Sequence, residues 1–196
     1  IAFLYTKTVE PSYSTSAEIQ IKSDSKGNSM SGEEAFANMG FFKSNTNVWN
    51  EIIAFSSPDL MVEVVDRLKL HTDYRKPGFF NNKLLYGTSL PVTVSMPELA
   101  DNAVASFTLK LLGKEKYVIT DMKFNGEEFK DKKIEGRLHD TISSPYGNLI
   151  VTPTIHYNIQ LVSETNEILV NRSSKNYAVE KYSNRLGVEQ NKTYKE

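Results

Sequence analysis

Between Val92 and Leu161 apolar residues alternate with polar ones in six short runs, and this limits what the chain can fold into more than any other feature. The first run is Val92, Val94 and Met96, the second Phe107, Leu109 and Leu111, the third Val118, Thr120, Met122 and Phe124. Ile134, Gly136 and Leu138 follow, then Leu149 with Val151, and last Ile155, Tyr157, Ile159 and Leu161. Successive side chains of a strand point to opposite faces, so each run predicts a strand with one face buried. Gly113, Asn125-Gly126, Pro145-Tyr146-Gly147 and Pro153 separate the runs. Gly and Asn accept the positive φ that tight hairpin turns demand. An antiparallel meander or small sandwich is the expectation for the middle of the chain.

Helical spacing flanks this region. Ser31-Gly32-Glu33-Glu34 has the spacing of a capping box ahead of a short helix through Phe36 and Met39, ended by Gly40. A second helix is predicted from Thr46 or Asn47, with Val48, Ile52 and Phe55 on one face. It breaks at Ser56-Ser57-Pro58, where Ser57 caps a new helix with Pro58 first and Asp59 at the positive end of its dipole. Met61, Val64, Val65 and Leu68 form the stripe of that helix, and Trp49 is expected as the packing anchor of the corner. Ser173 or Ser174 caps a last helix bearing Val179, Tyr182 and Leu186, with Gly187 as its stop. Tyr13 to Lys22 alternates as a half-buried strand, and Tyr74 to Gly87 reads as a turn-rich connection. The fold class is therefore α+β, a mixed α/β base with a largely antiparallel β-rich insert over about residues 77–162, within one domain spanning residues 1–196.

Residue chemistry is sparse. A chain of 196 residues with 39% hydrophobic residues can hold one core without metal or disulfides. Its net charge of −1 removes the bulk electrostatic pull toward nucleic acid or an acidic surface. The six Lys/Arg between Arg172 and Lys195 share their segment with three Glu and read as a solvated helix face. Absence of Cys excludes thiol catalysis and thiolate metal sites. Of the three His, His139 and His156 fall on the polar phase of their strands. His71 lies just past a helix end, where a cation complements the dipole. His139 and Asp140, adjacent on a strand, would point to opposite faces and make no dyad. Two carboxylates for glycoside hydrolysis, such as Asp121 with Glu135, can be drawn from 24 acids, but no spacing singles out a pair. Phosphate-cradling, dinucleotide-binding and nucleophile-elbow motifs are absent, as is His-Glu-x-x-His spacing. No catalytic, cofactor-binding or metal-ligating residue is expected, and no cofactor.

Three stretches together resemble the periplasmic domain of Wzz-type chain-length determinants, the polysaccharide co-polymerases, in the form fused to bacterial tyrosine autokinases of capsule and exopolysaccharide synthesis. They are Phe3 to Tyr13 with the following Ser16 to Lys22, Asn47 to Met61 continuing through Val64 to Leu70, and Tyr177 to Val188. In the family a membrane helix ends, a Pro-x-Tyr follows and a strand opens the domain, as Pro11-Ser12-Tyr13 does here. Asn50-Glu51-Ile52 onward is similar to the family's helix corner. The resemblance implies that Ile1 to Leu4 are the periplasmic end of a membrane helix, and that the β-rich part is the insertion of the larger, kinase-linked branch. The family's long membrane-distal helices and second membrane helix are not in this sequence.

The role so implied is non-enzymatic: inner-membrane protomers assemble into homo-oligomers that set how far a polymerase extends a surface polysaccharide. Implied partners are other copies of the chain, the polymerase and export machinery, the inner membrane through flanking helices and the polysaccharide itself, on the periplasmic face and without nucleic acid. The alternative of another class is a secreted carbohydrate-binding or adhesin module that stacks sugars on exposed Tyr or Phe of the insert. Burial of Tyr5, Tyr13 and the helix corner would favour the first reading, and a groove of coplanar aromatics the second. An enzyme ranks third.

Overall fold

A computed structural model describes residues 13–20 and 41–190. The described residues divide into two compact units, one of residues 65–178 and one of residues 13–20, 41–64 and 179–190. The fold class is α+β. Among the described residues no helix is long and apolar enough to cross a membrane.

The smaller unit is helical. Helix α1 (Phe41–Phe55) starts ahead of the predicted Thr46 or Asn47, and α2 (Pro58–Leu68) begins where the sequence places it. The Ser57 side chain accepts a hydrogen bond from the Asp59 N–H at 3.2 Å, so the expected cap is formed. Val48, Ile52 and Phe55 are half-buried, whereas Trp49 is 64% exposed and is not the anchor of the corner. Trp49 and Ile53 sit a turn apart on a stripe about 100° away from the buried one, and both remain outside. Leu68, at the end of α2, is likewise exposed, while Val65 is fully buried.

Residues 13–20 of the strand expected over Tyr13 to Lys22 form no strand and are exposed, and Ile21 and Lys22 lie outside the described residues. An alternating segment becomes a strand only where a neighbour takes its backbone hydrogen bonds, and no ladder among the described residues includes these positions. The helix predicted from Ser31 to Gly40 lies outside the described residues.

The larger unit is built on strands. In chain order these are β1 (Thr72–Lys76), β2 (Lys83–Leu84), β3 (Val92–Ser95), β4 (Ala105–Leu112) and β5 (Lys116–Phe124), then β6 (Glu127–Phe129), β7 (Ile134–Arg137), β8 (Thr141–Ser144), β9 (Gly147–Pro153) and β10 (Glu167–Arg172). A seven-stranded sheet runs β2-β1-β10-β4-β5-β6, with β7 also on β5, and a three-stranded sheet runs β3-β9-β8. Every ladder is antiparallel. One apolar cluster joins the two sheets, with Leu109, Tyr117, Ile119 and Ile168 from the larger and Val92, Leu149 and Val151 from the smaller.

Four sequence expectations are corrected in the larger unit and the last helix. The phase of β5 is broken at Asp121, which adopts φ +54° where the β4–β5 register shifts, a bulge with the extra residue on β5. Tyr117 and Ile119 therefore face the core before the bulge and Met122 after it, in place of a single Val118-to-Phe124 face. The run Ile155 to Leu161 is no strand: Asn158 accepts the Leu161 N–H at 2.8 Å and caps a short helix, α3 (Ile159–Glu164). The segment read as a turn-rich connection contains β1, whose Tyr74 is buried. The last helix, α4 (Lys175–Ser183), ends before Leu186, which is exposed.

Candidate functional site

The most elaborate polar arrangement forms where β10 ends and α4 begins. Arg172 closes β10 opposite Thr72 of β1, and its side chain turns onto the 99–103 loop. Its guanidinium, only 6% exposed, donates to the carbonyls of Ala103 at 2.8 Å, Ala100 at 3.1 Å and Leu99 at 3.4 Å. Three residues on, Lys175 lies 2.8 Å from a carboxylate oxygen of Asp101 and 3.1 Å from one of Asp66. Lys175 holds the exposed Asp101 carboxyl below its ordinary range, and the two carboxylates raise the Lys175 ammonium in turn. The Lys175 N–H also donates to the Asp101 carbonyl at 2.7 Å.

His71 borders this cluster. Burial first, then the charges of Arg172 and Lys69, lowers its pKa, against an opposing pull from Asp66. Helix polarity favours a cation at the end of α2, whereas burial and the neighbouring positive charges act on His71 in the opposite sense. Its carbonyl accepts from the Ser173 N–H at 2.9 Å. The chemistry of the cluster is that of a fastener. Every donor of the arginine that the geometry displays points at backbone, and the lysine is shared between two acids.

The other histidines are not where alternation puts them. His139 sits in the turn between β7 and β8 with φ +71°, its N–H donating to Val151 at 2.8 Å, so His139 and Asp140 lie in a turn rather than along a strand. His156 lies in the turn after β9, beside an open depression of about 510 Å³ shared with Tyr157 and Gln160. A second depression of about 560 Å³ opens between β5, β7 and β8. Lys116 and Arg137 on its walls are matched by Glu135 and Asp140, which leaves no dominant charge. The structure does not bring Asp121 and Glu135 together as a catalytic pair. Glu135 lines this second depression and pairs with Lys133 at 3.0 Å, while Asp121 does not line it and accepts from the Thr120 hydroxyl at 2.9 Å.

Three aromatics of the insert, Phe107, Phe124 and Tyr146, pack on one another, whereas Phe79, Phe80 and Tyr86 are exposed. Phe107 and Tyr146 stack with centroids 5.7 Å apart, Phe124 meets Tyr146 edge-on at 5.7 Å, and the Tyr146 hydroxyl donates to the Ser106 carbonyl at 3.0 Å. Sequence reasoning missed Arg172 as a key residue. The visible signal was a cation directly after the alternating Ile168 and Val170, a strand that the reading did not separate from its surroundings. Among the described residues no group of three or more His, Asp and Glu is placed to hold a metal ion. No protein-family model matches the chain, and no curated protein matches it.

Proposed function

We propose that this chain is a non-catalytic periplasmic domain of an inner-membrane polysaccharide co-polymerase, acting through oligomeric assembly on the chain length and export of a capsular, exo- or O-antigen polysaccharide. The observation that carries the reading is the pair Trp49 and Ile53, a turn apart on α1 and 64% and 62% exposed. They lie in one of the stretches that carry the resemblance, and an apolar helical stripe left open in one copy suits the packing of a neighbour. The polar groups of the larger unit support it differently, since Arg172 is engaged with carbonyls of the 99–103 loop and Lys175 with the carboxylates of Asp66 and Asp101. The burial that would favour this reading over the binding module is not met at Tyr13, 78% exposed, or at Trp49 of the helix corner, and Tyr5 lies outside the described residues.

The carbohydrate-binding alternative is the weaker, because the aromatics of the insert that stack do so inside the core. The test is expression of the full-length gene product in a bacterium deprived of its own chain-length regulator, with the surface polysaccharide resolved by gel. A restored modal length is expected. An unregulated ladder identical to that of the empty host would refute the proposal.

A further inference from the structure

Between Tyr74 and Pro97 the chain carries no acidic residue, yet it holds Arg75, Lys76 and Lys83. The segment forms a hairpin, β1 to β2, at the edge of the seven-stranded sheet. Lys76 and Lys83 are direct partners across that ladder, and neither makes an ion pair among the described residues. Like charges facing each other across strands destabilise a hairpin, so this placement is unfavourable in isolation.

At the tip stand Phe79, 96% exposed, and Phe80, 53% exposed. Their rings meet edge-on at 4.8 Å and 84°, which offers no flat platform for a sugar face. The tip is constrained: a Cβ on Gly78 would fall 2.1 Å from the Asn81 carbonyl oxygen, so only glycine permits this turn. The Gly78 N–H donates to the Asn82 side chain at 3.4 Å across it. Leu84 and Tyr86, 44% and 60% exposed, continue the apolar surface along the same segment.

Exposed aromatic rings beside lysines without counter-ions are what an anionic bilayer surface accommodates. The rings leave water for the acyl boundary while the ammonium groups meet lipid phosphates. We infer that the Phe79-Phe80 hairpin is a wedge that seats on an anionic lipid surface. With a net charge of −1 the chain has no bulk attraction to such a surface, so the contact is confined to this hairpin. The inference concerns the chain and lipid alone and stands apart from the assembly reading.

The experiment is flotation of the 196-residue chain with vesicles of phosphatidylglycerol and phosphatidylcholine, against vesicles of phosphatidylcholine alone. Wild-type protein should float with the anionic vesicles, less so at high salt, and not with the neutral ones. F79S/F80S should lower the partition about tenfold or more, from the apolar area lost. K76E/K83E should lower it further than the loss of about five-fold per lysine, since the charge is reversed. Circular dichroism and melting of both variants should match wild type, as the substituted side chains are at the surface. Absence of flotation, or flotation of F79S/F80S equal to wild type, overturns the inference. So does retention on a soluble acidic polysaccharide that K76E/K83E abolishes while vesicles go unbound.

Discussion

The Tyr74 hydroxyl oxygen accepts a hydrogen bond from the Val94 backbone N–H at 2.8 Å, which ties β1 of the seven-stranded sheet to β3 of the three-stranded one. The bond crosses between sheets that no backbone ladder joins. Tyr74→Phe keeps the ring and leaves the Val94 N–H without that partner in a partly buried setting. It should cost about 1–2 kcal/mol, read from urea unfolding monitored by circular dichroism.

Burial shapes the alkaline behaviour of the larger unit. It pushes the Tyr74 hydroxyl up to about 12, and burial with the nearby Asp140 charge does the same for Tyr117. Burial also raises Tyr146 and Tyr157. The unfolded chain loses these protons near 10, so their contribution is complete below that pH and falls away as pH climbs toward 12. Absorbance at the phenolate band should show Tyr74, Tyr117, Tyr146 and Tyr157 releasing their protons above the ordinary phenol range, together with unfolding.

His71 acts at the other end of the scale. Because its folded pKa is lowered, the unfolded chain takes up a proton that the folded one refuses, from about pH 6.5 downward. Stability should therefore fall as pH drops through that region, and His71→Gln should flatten the dependence. Melting temperatures from pH 8 to pH 5 check it.

Removing Arg172 should be severe. Arg172→Met deprives the Leu99, Ala100 and Ala103 carbonyls of their donor and should cost about 3 kcal/mol, with Arg172→Lys recovering only part. Urea midpoints of the two variants give the ordering.

Gly136→Ala should also destabilise. A Cβ there would lie 2.6 Å from the ring carbon and oxygen of Tyr117, a fully buried side chain with little room to yield. Overpacking of this kind costs about 1–3 kcal/mol, measurable in the same unfolding assay.

Much of the architecture could be read directly. Ser57-Pro58-Asp59 names a cap, and Asn125-Gly126 names a two-residue hairpin whose φ values, +46° and +90°, are those the dipeptide is chosen for. What escaped was non-local. Asp121 carries no residue-type mark of a bulge, and its positive φ follows from how β5 lies along β4. The alternation of Ile155 to Leu161 is a true sequence pattern, yet Asn158 claims the backbone for a helix cap and leaves Ile155 and Ile159 exposed. β10 is central to its sheet, but its six residues between polar segments gave no turn signal strong enough to isolate them. Arg172 escaped with it, because its purpose depends on a loop some seventy residues earlier in the chain.

The central claim, that assembly rather than chemistry is this domain's work, is tested most directly by W49S/I53S in the full-length protein. The readout is the length distribution of the surface polysaccharide together with the oligomeric state in native membranes. Loss of the oligomer with a shift in modal length, and the same repeat unit still polymerised, is the predicted result. An unaltered length distribution from a protein that no longer associates would contradict it.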